Sequence, residues 1–120
     1  MATVEVTSEN FKETIGKGIV LLDWWAAWCG PCRAFAPVFE SASDRNADLV
    51  FGKIDTDAQQ ELAGGFQIRS IPTLMVFRDG ILIFAQPGSM PAATLDELIG
   101  KVRALDMEQV RKDIEAEKPA

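Results

Sequence analysis

Two cysteines three positions apart, Cys29 and Cys32, enclose Gly30-Pro31 and constrain this chain more than any other feature. They are the only cysteines among its 120 residues, and they stand just after an apolar run, Ile19-Val20-Leu21-Leu22. Such a run reads as a buried strand. Pro31 suits the first turn of a helix, where a missing N–H costs nothing and a fixed φ is already helical. Cys29 then falls at the helix N-terminus, where unpaired N–H groups and the positive end of the helix dipole stabilise an anion. A thiolate is such an anion, and it is the form that attacks disulfides. Cys32 follows one turn later on the same face, within bonding reach. The spacing makes a dithiol that can close reversibly into a small disulfide ring.

Other uses of two cysteines fit less well. A structural disulfide over so short a loop removes little entropy from the unfolded chain. A structural zinc site needs four Cys or His ligands, and the chain has two cysteines and no histidine. A cysteine hydrolase needs a His base, which is absent for the same reason. Cys-x-x-Cys between a strand and a helix reads as a redox motif instead.

Length sets one domain with enough buried surface for a core of its own. A net charge of −6, from 12 basic and 18 acidic residues, argues against nucleic acid or an anionic membrane as partner, because both need clustered Lys and Arg. The start, Met-Ala-Thr-Val-Glu-Val-Thr, carries no basic segment followed by an apolar one, and no apolar run approaches a membrane span. The expectation is therefore a cytoplasmic protein, where a disulfide is catalytic more often than structural.

Along the chain, Val4-Glu5-Val6 reads as an edge strand. Thr7 or Ser8 is placed to cap a helix carrying Phe11 and Ile15, ended at Gly16-Lys17-Gly18. Ile19 to Trp24 reads as a central strand, Pro31 to about Asn46 as a helix kinked at Pro37, and Leu49 to Asp55 as the next strand. Asp57 is placed to cap a short helix through Leu62 and Ala63. Asp79-Gly80 joins strands Thr73–Phe77 and Ile81–Ala85 in a hairpin, and Pro91 to about Leu105 reads as a helix. The pattern predicts an α/β chain, a central mixed sheet with helices on both faces. Beyond it, Asp106 and Gln109 have capping-box spacing, and Met107, Val110 and Ile114 share a helical face. This reads as a solvated extra helix, with an apolar stripe that could dock on the domain or on a second copy.

Trp28-Cys29-Gly30-Pro31-Cys32, preceded by Asp23-Trp24-Trp25-Ala26 and followed by Ile71-Pro72-Thr73, resembles the thioredoxin family, from about Val4 to about Leu105. The resemblance implies a thioredoxin fold over residues 1–105 with an extension at 106–120. Asp23 would be the base that deprotonates Cys32: burial in an apolar strand raises a carboxyl's proton affinity, and the resemblance carries an Asp onto this position. Lys53, by the same resemblance, would neighbour Asp23 and tune it. Cys29, expected nearer solvent than Cys32, would be the nucleophile and Cys32 the resolving thiol. Trp28 would expose an apolar surface beside the dithiol, with Trp25 beneath it. Trp24 reads as core, where the family more often has Phe. Ile71-Pro72 would be a cis bond facing the cysteines, the Ile71 backbone pairing with an extended substrate segment. Gly88 would form a third wall by close backbone approach, altered by Pro87 in place of the usual β-branched residue.

The implied function is general protein-disulfide reduction with no bound cofactor and no metal. Electrons would come from NADPH through a flavoprotein thioredoxin reductase, with disulfide-containing proteins as substrates and the chain a monomer. Gly30-Pro31 is the dipeptide typical of reducing members, whereas oxidases and isomerases more often carry a His there. A binding module that uses the same surface without turnover is the third reading, though it has no need of both thiols.

Overall fold

The computed structural model describes residues 2–117. Five strands, β1 (Thr3–Glu5), β2 (Ile19–Trp25), β3 (Val50–Asp55), β4 (Thr73–Arg78) and β5 (Ile81–Pro87), form one mixed sheet in the order β1-β3-β2-β4-β5. The first three run parallel, and β4 and β5 are antiparallel. β2 takes the central place, which suits a strand that is apolar on both faces. Its alternating residues separate cleanly, since successive side chains point to opposite sides of a sheet. Leu21 joins a cluster with Phe35, Phe39, Phe51, Leu74 and Leu95, whereas Val20, Leu22 and Trp24 join Val6, Phe11 and Ile54. The first face is covered by α2 (Gly30–Arg45) and α4 (Ala92–Arg103), the second by α1 (Phe11–Ile15) and α3 (Gln60–Gly65). Asp23 has the parity of Leu21, so it lies on the face that α2 covers.

Gly52 explains how β1 and β2 close on β3. A methyl group there would stand 2.5 Å from Val6 Cγ2 and 2.9 Å from Leu22 Cδ2, so only glycine lets these side chains meet across the strand. The Asp79-Gly80 hairpin forms with positive φ at both residues, 52° and 82°, the backbone of a type I′ turn. Asp79 also exchanges hydrogen bonds with Gly18, its N–H donating to the Gly18 carbonyl and its carboxylate accepting the Gly18 N–H. α2 continues through Pro37.

Two expected caps are corrected. α1 begins after Asn10, whose side chain accepts the Thr7 N–H; neither Thr7 nor Ser8 caps it, because those residues are taken up in the turn before the helix. α3 begins after Gln59, not Asp57. The turn before it is held by Asp55, which accepts the N–H groups of Asp57 and Ala58, leaving the Asp57 carboxylate free to act elsewhere.

The C-terminal helix, α5, spans Met107–Glu117; the last part of the 106–120 segment, from Lys118 on, lies outside the described residues. Asp106 accepts the N–H groups of Glu108 and Gln109, while the Gln109 side chain donates forward to Asp113, so half of the capping box forms. Met107 is buried and Val110 half-buried, and Arg111 stands 3.7 Å from Asp79. The first turn is thus docked on the domain, and the rest is exposed.

Candidate active site

At the end of β2 the chain turns through Ala26-Ala27-Trp28 and enters α2, with Cys29 at the cap position and Gly30-Pro31 in the first turn. Cys29 is extended (φ −86°, ψ 114°), and its Sγ accepts the Cys32 N–H at 3.1 Å. A sulfur here does what a capping Ser or Asp oxygen does, satisfying one of the helix's unpaired donors. The same donor and the helix dipole stabilise negative charge on that sulfur once the disulfide opens. Cys29 and Cys32 are joined as a disulfide. Both cysteines are nearly buried, Cys29 4% and Cys32 3% exposed, so exposure separates them little. What distinguishes them is the hydrogen bond, because only Cys29 has its sulfur at the helix cap.

Asp23 is fully buried, and neither of its carboxylate oxygens has a hydrogen-bond partner. It is an interior residue of β2 and no loop cap. Burial pushes its pKa up to about 7, opposed by the positive charge of Lys53 and assisted by the negative charge of Glu40. Lys53 is its register partner on β3. The Lys53 Nζ lies 5.0 Å from the centre of the Trp25 ring and 3.9 Å from Glu40 Oε1. A cavity of about 400 Å³ opens beside Trp25 and Lys53, bordered by β1, Asp55 and Gln59.

Ile71-Pro72 is a cis peptide. Ile71 packs against Ala26 and the two cysteines, and its carbonyl oxygen is 3.6 Å from Cys29 Sγ. The Pro72 carbonyl accepts the Gly88 N–H at 2.7 Å, tying this turn to the end of β5, where Pro87 pairs with Thr73. Gly88 has φ +101°, and a methyl group added there would meet nothing within 4 Å. Within the chain, glycine is required here for its backbone angle, and its open side leaves the backbone accessible.

Trp28 is 68% exposed beside Cys29, and its Nε1 donates to Asp57 at 2.9 Å. Trp25 packs on the cysteine cluster, as expected. Trp24 is wholly buried against Phe66, with its Nε1 unpartnered. The structure thus gathers Cys29, Cys32, Trp28, Gly30, Pro31, Ile71 and Pro72 at one end of the sheet, with Asp23 and Lys53 on the α2 side behind them. Sequence reading missed Glu40 and misassigned Asp57. Glu40 was discoverable, since Cys32, Ala36 and Glu40 at i, i+4 and i+8 share a helix face. No sequence pattern links Asp57 to Trp28. Among the described residues no group of three or more His, Cys, Asp or Glu stands together to hold a metal, and no helix is long and apolar enough to cross a membrane.

A cysteine pair that caps a helix, with a cis X-Pro turn packed on it and a buried carboxyl in the strand that leads to it, defines a thiol–disulfide oxidoreductase. A model of the thioredoxin family matches residues 2–101. The chain is 55% identical over 114 residues to "Putative thioredoxin 2" of Streptomyces coelicolor, covering 94% of this chain and 85% of that one. It is 43% identical over 102 residues to the thioredoxin of Bacillus subtilis, covering 84% and 98%. Among solved structures, a mutant thioredoxin from Halobacterium salinarum superposes with a TM-score of 0.80 at 31% identity, covering 87% of this chain and 93% of that one. The chain belongs to the thioredoxin family, which needs no bound cofactor. With its disulfide-forming pair, it is a protein-disulfide reductase.

Proposed function

We propose that residues 1–105 are the working domain of a general protein-disulfide reductase of the cytoplasm, acting as a monomer, with 106–120 an appended segment. The Cys29 thiolate attacks one sulfur of a substrate disulfide. That S–S bond breaks, a mixed disulfide forms, and the other substrate sulfur leaves as a thiolate. Asp23 then takes the proton from the Cys32 thiol. The Cys32 thiolate attacks Cys29 Sγ, the mixed disulfide breaks, and the second substrate sulfur leaves. The substrate has gained two electrons and Cys29–Cys32 is oxidised. A flavoprotein thioredoxin reductase returns two electrons from NADPH, which maintains redox balance and makes the chain an electron carrier.

The observation that carries this reading is the Cys32 N–H donated to Cys29 Sγ at the start of α2. It supports Cys29 as the stabilised thiolate, hence nucleophile and leaving group, and Cys32 as the resolving thiol. Lys53 tunes Asp23 from the neighbouring strand. Trp28, Gly30, Pro31, Ile71, Pro72 and Gly88 form the surface that receives the substrate strand, Ile71 offering its backbone for strand addition. The oxidase, isomerase and passive-binder readings are not favoured.

Replacing Cys32 by Ser tests the assignment. The variant should stall as a mixed disulfide through Cys29, visible by mass spectrometry under non-reducing conditions, and lose insulin-reducing turnover. Unchanged turnover, or trapping through the other cysteine in Cys29→Ser, would overturn the roles. The reduction potential tests direction: thioredoxin's established value is about −270 mV and that of protein disulfide isomerase about −180 mV. A value near the second contradicts reduction as the working direction.

A further inference from the structure

Lys53 has two carboxylates within its surroundings and sits with only one of them. Its Cα stands opposite that of Asp23 in the β2–β3 register, yet both Asp23 oxygens lack a hydrogen-bond partner. The ammonium is placed instead 3.9 Å from Glu40 Oε1 and over the Trp25 ring. The Lys53 and Glu40 side chains are 20% and 29% exposed, so this contact is partly shielded from solvent and less screened than a surface pair. We infer that Glu40, which the chemistry above does not use, is a positioning residue: by holding the Lys53 ammonium against itself and Trp25, it keeps that cation off Asp23 and leaves the buried carboxyl without an ion-pair partner.

The consequence follows from which form of Asp23 each neighbour favours. A cation in contact with Asp23 would stabilise its ionised form and make it a weaker proton acceptor. A cation held elsewhere leaves burial dominant. Glu40 acts in the same direction twice, by engaging Lys53 and by its own negative charge, which raises Asp23's proton affinity. The groups facing Asp23 are few. β3 offers Lys53 and α2 offers Glu40, the two charged groups that act on it, while β4 offers the apolar partner Leu74. The cavity beside Lys53 and Trp25, bordered by β1, Asp55 and Gln59, gives the Lys53 side chain its solvent contact.

The inference rests on Asp23 as the base for Cys32, and the test keeps the two apart. The Asp23 carboxyl is followed by carbon-13 NMR titration in the full chain, for the natural protein, Glu40→Gln, Lys53→Met and the double variant. Glu40→Gln preserves shape at a partly exposed position, and its folding is checked by amide spectra. It should lower Asp23's proton affinity at least about threefold, half a pH unit, and the pH profile of mixed-disulfide resolution should move with it. With Lys53→Met already in place, adding Glu40→Gln should move the midpoint distinctly less. An unchanged or raised midpoint in Glu40→Gln, or an equal shift with Lys53 absent, overturns the positioning role. Asp23→Asn tests the underlying base assignment separately: if the resolution profile ignores that change, the base reading fails, while the Glu40 arm is still decided by the Asp23 midpoint.

Discussion

Replacing Asp23 by Asn should stabilise the oxidised protein, and by an amount that grows with pH. The carboxyl has a pKa of about 7 when folded against 3.8 for the ordinary group. Below pH 3.8 it is protonated in both states and costs no extra stability. As pH rises, the unfolded chain releases this proton first, so the folded state loses stability until the folded group also ionises near pH 7; above that the loss is constant. A gap of about three pH units at about 1.36 kcal/mol each makes the full penalty about 4 kcal/mol, and at pH 5 it is about 1.5 kcal/mol. Asn keeps the shape and removes the titration. Its own burial cost, an amide without partners, does not depend on pH. The stability difference between variant and natural protein should therefore widen by about 2.5 kcal/mol between about pH 5 and about pH 9. With a urea m-value of about 1.5 kcal/mol/M, the gap between midpoints grows by roughly 2 M. The assay is urea unfolding followed by Trp fluorescence across that range, with the disulfide intact. A difference that stays flat with pH would refute a raised folded-state pKa, and one that narrows would reverse its sign.

The packing makes two further predictions. Gly52→Ala should cost about 1–3 kcal/mol, since its new methyl meets Val6 at 2.5 Å and Leu22 at 2.9 Å; a neutral result by thermal unfolding would mean that β1 moves away freely. Trp24→Phe should cost less than about 1 kcal/mol, because the lost ring area is offset by removing a buried N–H with no acceptor. A loss above about 2 kcal/mol in urea would show that the indole N–H is satisfied.

Most of the architecture could be read from sequence because it depends on short-range periodicity. β2 is apolar on both faces, Asp79-Gly80 demands positive φ, and α2 repeats core residues along one side. Helix caps were harder to place. Asn10 and Asp55 accept N–H groups in the turns that precede α1 and α3, from Thr7 and from Asp57 and Ala58, and composition alone does not say that Thr7, Ser8 and Asp57 serve those turns and not the helix ends. The C-terminal segment was readable as a helix, but the burial of Met107 depends on packing that the local pattern does not specify.

The dithiol was legible for the same short-range reason: spacing, Pro31 and the preceding strand define it within a short stretch of chain. What governs Asp23 is different in kind. Its environment is made by β2, β3 and α2 together, and the deciding fact is which of two carboxylates Lys53 approaches. Asp23 and Lys53 are far apart in the chain, and the sheet register alone sets them side by side. Glu40 enters only because α2 crosses that face with Cys32, Ala36 and Glu40 aligned. A buried acid costs the fold stability, and in the proposed mechanism Asp23 returns that cost by taking the Cys32 proton, a task on which the position of Lys53 bears. Burial and the position of Lys53 therefore act as one device, set by tertiary structure, beneath a dithiol set by local sequence.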